Sequence, residues 1–134
     1  MKKRYFVGLS GIKKLSRDIG RSIHGGEIFA LIGPLGAGKT TFVQELAKTI
    51  GVTARVKSPT FVVMQSFLAK PGKTAPKQGL TLHHLDLYRT KTFAEVKALG
   101  IEELWGNLET VTLIEWANKI RRHLPKKTTY IYFK

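Results

Sequence analysis

Eight consecutive residues, Gly33-Pro34-Leu35-Gly36-Ala37-Gly38-Lys39-Thr40, constrain this chain more than anything else in it. They fit the spacing G-x-x-x-x-G-K-[ST] of a phosphate-binding loop, or P-loop. Glycines let the backbone approach a phosphate without a Cβ in the way, and successive N–H groups then point inward as an anion nest. A helix starting near Gly38 adds the positive end of its dipole. The flanks suit this reading. Glu27–Gly33 (EIFALIG) is a strand-like run with a buried apolar stretch at Ile28–Ile32. Gly38–Ile50 is an amphipathic helix with Phe42, Val43, Leu46 and Ile50 inward and Gly51 as its stop. A glycine-rich turn with no ligand would not need both Lys39 and Thr40. The expected cradle is Gly33, Leu35, Gly36, Ala37, Gly38, Lys39, Thr40 and Thr41, with Lys39 reaching the β- and γ-phosphates of a nucleotide and the Thr40 hydroxyl placed for Mg²⁺.

Around this loop, strands and helices alternate, which predicts an α/β layered fold. Tyr5–Gly8 reads as a short strand. Ser10 is the expected N-cap of a helix over Gly11–Ile23, with Ile12, Leu15, Ile19 and Ile23 on one face, ended by Gly25-Gly26. Phe61–Leu68 and Leu80–Tyr88 form a strand pair around an exposed basic loop, Ala69–Gly79. Thr92–Leu99 is helical up to Gly100, Val111–Glu115 an apolar strand, Trp116–His123 a short helix and Thr129–Phe133 a last strand. With 134 residues, no internal repeat and no linker-like stretch, residues 1–134 are expected to form a single nucleotide-binding domain.

Phosphate chemistry in such a loop also needs an acid to hold the metal or orient water. Of nine acids, two end apolar strand-like runs: Asp86 in Leu82–Leu87 and Glu115 after Val111–Ile114, a Walker-B pattern with Glu where Asp is commoner. Strand carboxyl ends are where ligands sit in open parallel sheets, so both are candidates for the metal and catalytic roles, against the plainer reading of a carboxylate paired with a nearby base. Ser58-Pro59-Thr60 places two hydroxyls beside a rigid proline, as switch loops do, or is a simple turn. Arg89 either neutralises phosphate or pairs with Asp86. His83 and His84 alternate faces of a strand, and neither has a second ligand at metal spacing. Trp116 is read as packing on spacing alone.

The balance of 23 Lys and Arg against nine acids, a net charge of +14, suggests an acidic partner such as nucleic acid, or else a solvated surface. The bases cluster at Lys119, Arg121, Arg122, Lys126, Lys127 and Lys134, and again at Arg55, Lys57, Lys70, Lys73 and Lys77. There is no cysteine, which excludes disulfides, thiolate metal sites and cysteine nucleophiles. Neither a signal peptide nor an apolar run long enough to span a membrane is visible, so a cytoplasmic location with no membrane partner is expected.

Four segments together, GPLGAGKTTF (Gly33–Phe42), SPTF (Ser58–Phe61), HLDLYR (His84–Arg89) and LIEW (Leu113–Trp116), resemble the bacterial TsaE (YjeE) family in order and spacing, over nearly the whole chain. The resemblance implies a three-layer P-loop NTPase with a mixed central sheet. It implies ATP and Mg²⁺ as cofactors and a weak, partner-stimulated ATPase. That ATPase serves tRNA threonylcarbamoyladenosine biosynthesis with the TsaB–TsaD pair, which modifies the adenosine beside the tRNA anticodon. By motif position it assigns Lys39 to the phosphates, Thr40 to Mg²⁺, Asp86 and Glu115 to metal and water, Ser58 and Thr60 to a mobile switch, and a functional role to Trp116. One departure is Pro34, where many members carry Asp; proline removes one loop N–H donor. Direct contact with tRNA is left open beside contact through the partners.

Two other readings compete. A small-molecule kinase needs an Arg-rich lid, and the only candidate, Ala69–Gly79, has Lys but no Arg. A nucleotide-sensing RNA-binding module suits the charge, but pure binding needs no acids at strand ends. The absence of an N-K-x-D segment leans towards adenine.

Overall fold

The structure, a computed structural model, describes residues 3–56, 63–71 and 79–134. Its strands are β1 (Arg4–Val7), β2 (Ile28–Ile32), β3 (Met64–Ala69), β4 (Leu80–Asp86), β5 (Thr110–Glu115) and β6 (Thr129–Phe133). They form one sheet in the order β1-β6-β2-β5-β4-β3. All neighbours are parallel except β3 and β4, which are antiparallel. The sheet is therefore mixed, as the resemblance implies. β3 directly precedes β4 in the chain, which suits antiparallel pairing, whereas the parallel pairs need crossovers.

β2 and β5 sit in the middle and are covered on both faces, which explains their unbroken apolar sequence. On one face Phe29, Leu31, Val111, Leu113, Ile131 and Phe133 join a core with α1 (Ile12–Ser22) and α2 (Lys39–Thr49), whose Ile12, Ile19, Phe42, Val43 and Leu46 are buried. On the other, Ile28, Ala30, Leu85, Ile114 and Tyr130 pack with Val96 of α3 (Phe93–Lys97), Ile101 and Ile120. Helical segments thus flank the sheet in three layers.

Gly51 ends α2 as expected. At φ 101° it lets its own N–H reach the Lys48 carbonyl and that of Val52 reach Ala47, the paired bonds of a Schellman cap. The other end of α1 corrects the expectation for Ser10. Ser10 lies inside a 3₁₀ turn, Leu9–Gly11, so the N-cap is Gly11 and no side chain caps the helix. The chain turns tightly straight out of β1, and the register of that turn moves the helix start one residue on. Thr92 does cap α3, its hydroxyl accepting from the Glu95 N–H at 3.4 Å. The predicted helix at Trp116–His123 is instead a kinked 3₁₀ segment, Ala117–His123. The predicted strand Phe61–Leu68 begins at Met64 among the described residues; positions 61 and 62, like 72–78 of the basic loop, lie outside them. Ala69, placed at the edge of that loop, is fully buried at the end of β3. Among the described residues no helix is long and apolar enough to cross a membrane.

Candidate functional site

The loop between β2 and α2 spans residues 33–38. It is tightly packed at two glycines. A Cβ on Gly33 would lie 2.8 Å from the Phe133 carbonyl oxygen. Gly38 has φ 99°, and a Cβ there would lie 2.2 Å from Ile12 Cδ1. Only glycine satisfies both demands at Gly38. No side chain caps α2, so the N–H groups of its first turn, from Lys39 through Thr41, are left for another acceptor. Leu35 and Gly36 are exposed and Ala37 is buried. The Ala37 N–H donates to the Pro34 carbonyl at 3.3 Å, which folds the loop around its own centre.

The Lys39 side chain is buried and fills that centre. Its Nζ donates to the Gly33 carbonyl and, at 3.0 Å, to the Pro34 carbonyl. It also sits 4.2 Å from the centroid of the Trp116 ring. Burial pushes the Lys39 ammonium below its ordinary pKa, against the opposing pull of Glu115 and Asp86.

Both candidate acids end neighbouring strands and face each other in register, Asp86 on β4 and Glu115 on β5. They differ in surroundings. Glu115 is buried and its Oε2 is 2.6 Å from His84 Nε2, in a pair with almost no solvent contact. Asp86 is half-buried, and its Oδ1 accepts the Tyr88 N–H at 3.0 Å. Burial raises the Asp86 pKa, the Tyr88 N–H opposes it, and the Glu115 charge adds to the rise. The folded protein therefore holds the Asp86 proton more tightly than the unfolded chain does. That contribution to stability is present below the ordinary value of 3.8 and is lost as pH rises through the higher folded value. Asp86→Asn keeps the acceptor for Tyr88 and removes the charge. It should raise Tm slightly at neutral pH, with no gain under acid conditions, while phosphate release falls; thermal melts at the two pH values check this.

Trp116 is the one non-glycine residue with positive φ among the described residues, at 59°. A left-handed conformation costs an ordinary residue about 1 kcal/mol. Here it turns the chain sharply after Glu115, so that the ring lies against both Lys39 and Tyr88, the latter at 5.1 Å between centroids. Trp116 thus packs, as its spacing predicts, but it packs on the loop's own lysine.

Sequence reasoning missed two participants. His84 sits two residues before Asp86 on the same strand face, which is the signal its H-x-D spacing carries, and the β4–β5 register then brings it beside Glu115. By sequence Lys119 belongs to the basic C-terminal cluster. Its Nζ instead donates to the carbonyls of Tyr88 and Thr90, the latter at 3.0 Å, and ties down the turn that follows Asp86. Arg89 is exposed on that turn. Thr40 and Thr41 are half-buried in the first turn of α2. Ser58 and Thr60 lie outside the described residues. Among the described residues no three His, Asp or Glu side chains gather as a metal cage. Mg²⁺ held by one hydroxyl, a carboxylate and phosphate oxygens needs none.

A family model described as "Threonylcarbamoyl adenosine biosynthesis protein TsaE" matches residues 8–134. The curated protein "tRNA threonylcarbamoyladenosine biosynthesis protein TsaE" of Bacillus subtilis is 36% identical over 110 residues, covering 81% of this chain and 62% of the relative. Its namesake in Rickettsia conorii is 40% identical over 114 residues, 84% of this chain and 58% of the relative. That of Nostoc is 34% identical over 134 residues, with 98% and 75% covered. The chain thus spans less than two-thirds of the first two relatives. The crystal structure of YdiB from Bacillus subtilis superposes with a TM-score of 0.65 at 26% identity, covering 94% of this chain and 71% of that one.

Proposed function

This chain belongs to the TsaE family, with its P-loop NTPase fold, and we propose that it binds ATP with Mg²⁺ in residues 33–41, hydrolyses it slowly, and so serves tRNA threonylcarbamoyladenosine biosynthesis together with the TsaB–TsaD pair. The observation that carries the reading is the position of Lys39, a desolvated cation at the centre of a glycine loop with two carboxylates on adjacent strand ends beside it. The donor set fits a nucleotide. The uncapped N–H groups of α2 and the Lys39 ammonium suit phosphate oxygens, and Thr40 with Asp86 or Glu115 suits Mg²⁺. Bound Mg²⁺ would supply charge neutralisation on the phosphates.

The chain's own residues do the rest. Lys39 exchanges its carbonyl partners for phosphate oxygens. His84 holds the Glu115 carboxylate in one orientation. Lys119 fixes the turn after Asp86, so the second carboxylate is also set before any ligand arrives. Preorganised charge of this kind is the main source of catalysis in phosphoryl transfer. Ser58 and Thr60 are proposed as the switch that senses the γ-phosphate. No arginine finger beyond Arg89 is evident in the sequence, which suits slow turnover alone and acceleration by a partner. Residues 1–134 act as one unit in this reading, and the cytoplasm, where tRNA is modified, is its setting.

The test is phosphate release from Mg²⁺-ATP by the purified protein, alone and with TsaB–TsaD added. Slow release that rises on addition is expected. Release that ignores those proteins would overturn the partnership, and phosphorylated nucleosides or sugars appearing instead would mark a small-molecule kinase.

A further inference from the structure

The sheet face that carries Ile28, Ala30 and Ile114 is covered over its centre by the 3₁₀ segment Ala117–His123, but not at its β1 edge. There β1 and β6 run in register, Arg4 beside Tyr130 and Phe6 beside Tyr132, on one side of the sheet. Their partners on the other side, Tyr5, Val7, Ile131 and Phe133, pack into the core with α1 and α2. What remains on that side is a row of aromatic rings that runs from the buried Tyr130 through the half-buried Tyr132 to the exposed Phe6. Phe6 stacks on Tyr132 at 5.1 Å and 15°, and Tyr132 lies near-parallel to Tyr130 at 6.4 Å and 18°. Phe6 is 68% exposed, so the outer end of the row is open to solvent.

A guanidinium lies against this row. The Arg121 guanidinium sits 5.0 Å from the Tyr130 centroid and 6.0 Å from that of Tyr132, and donates to the Tyr132 hydroxyl at 2.7 Å. Lys3, Arg4 and Arg122 are exposed nearby in sequence. The two segments that build the face, 3–7 and 117–134, hold eight Lys and Arg and not one acid, with Lys119 of these turned to the Tyr88 and Thr90 carbonyls instead.

We infer that this β1–β6 face is a binding platform for unpaired nucleotides of an RNA, with a base stacked on Phe6 and the backbone phosphates held by Arg4, Arg121 and Arg122. Flat rings beside guanidinium groups are the chemistry that takes single-stranded nucleic acid, since every base presents a π-face and every linkage a negative charge. An acidic protein surface would use the charge but does not repeat a flat π-face at every residue, as a nucleic acid does. Phe6, Tyr132 and Tyr130 lie on the sheet face opposite α2.

The test is fluorescence anisotropy of the full chain with labelled single-stranded oligoadenylate of about ten nucleotides, a length within single-strand site sizes. Saturable, salt-sensitive binding is expected. Phe6→Ala should weaken it roughly tenfold and Phe6→Trp should retain it, as base stacking on one ring implies. Arg121→Gln should weaken it and flatten the salt dependence. Phe6→Leu, which keeps an apolar side chain in place, serves as a second variant with the same expected loss should Phe6→Ala fail to fold. Binding should persist in Lys39→Ala, which separates this site from the nucleotide loop. Unchanged affinity in the Phe6 variants, equal binding of duplex RNA or polyglutamate, or loss of binding in Lys39→Ala would each overturn the assignment.

Discussion

Lys39→Ala is expected to lower phosphate release from Mg²⁺-ATP at least about 100-fold, the loss typical of removing one preorganised charge from a reacting centre. The argument is geometric. The Lys39 ammonium is held inside the loop by the Gly33 and Pro34 carbonyls and by the Trp116 ring, so no reorganisation of the backbone is needed before it meets a phosphate. Burial weakens its hold on the proton, and the Glu115 and Asp86 charges oppose that shift. A cation placed this way is worth more than one in water. Lys39→Met, of similar length, keeps the packing and should lose turnover equally. Full turnover in either variant would mean that hydrolysis does not run through this loop.

His84→Leu is expected to destabilise the fold by roughly 2–4 kcal/mol, the range for leaving a buried polar or charged partner unmatched. His84 is fully buried and Glu115 nearly so, and the contact between them is 2.6 Å. Leucine fills much of the space but leaves the carboxylate without its partner. The double variant His84→Leu/Glu115→Leu should recover most of the loss, because an apolar pair of similar volume replaces both groups. Chemical denaturation of the wild type, both single variants and the double variant gives the coupling directly. Additive losses would show that the pair does not act as a unit. Phosphate release should fall in His84→Leu under conditions where the protein stays folded, since Glu115 loses its fixed orientation.

Much of this arrangement was legible in the residues. The loop is visible because its requirements are local: a spacing of glycines, one lysine, one hydroxyl, an apolar run before and an amphipathic run after. Asp86 and Glu115 were legible as residues ending apolar runs. That they would be register partners was not, because pairing of β4 with β5 depends on strand order, which no short segment encodes. The same holds for His84. Its alternation with His83 shows which residues share a face, but only the β4–β5 register brings it to Glu115, 31 positions away. Lys119 was hidden for another reason. In a chain with 23 bases, one lysine that binds carbonyls looks like any other. Ser10 was misplaced as a cap because a tight 3₁₀ turn can absorb a good capping residue one position early. The aromatic row at β1 is not legible in the sequence because its parts, Phe6 and Tyr132, are far apart in the chain and meet only through the β1–β6 register.

The central claim is that residues 33–41 form a nucleotide site whose cation is already in place. Calorimetric titration of the purified wild-type chain with ATP in the presence of Mg²⁺ tests it most directly. One saturable site is expected, with affinity reduced in Lys39→Ala and restored by no change of salt. The absence of saturable binding, or binding untouched by Lys39→Ala, would contradict it.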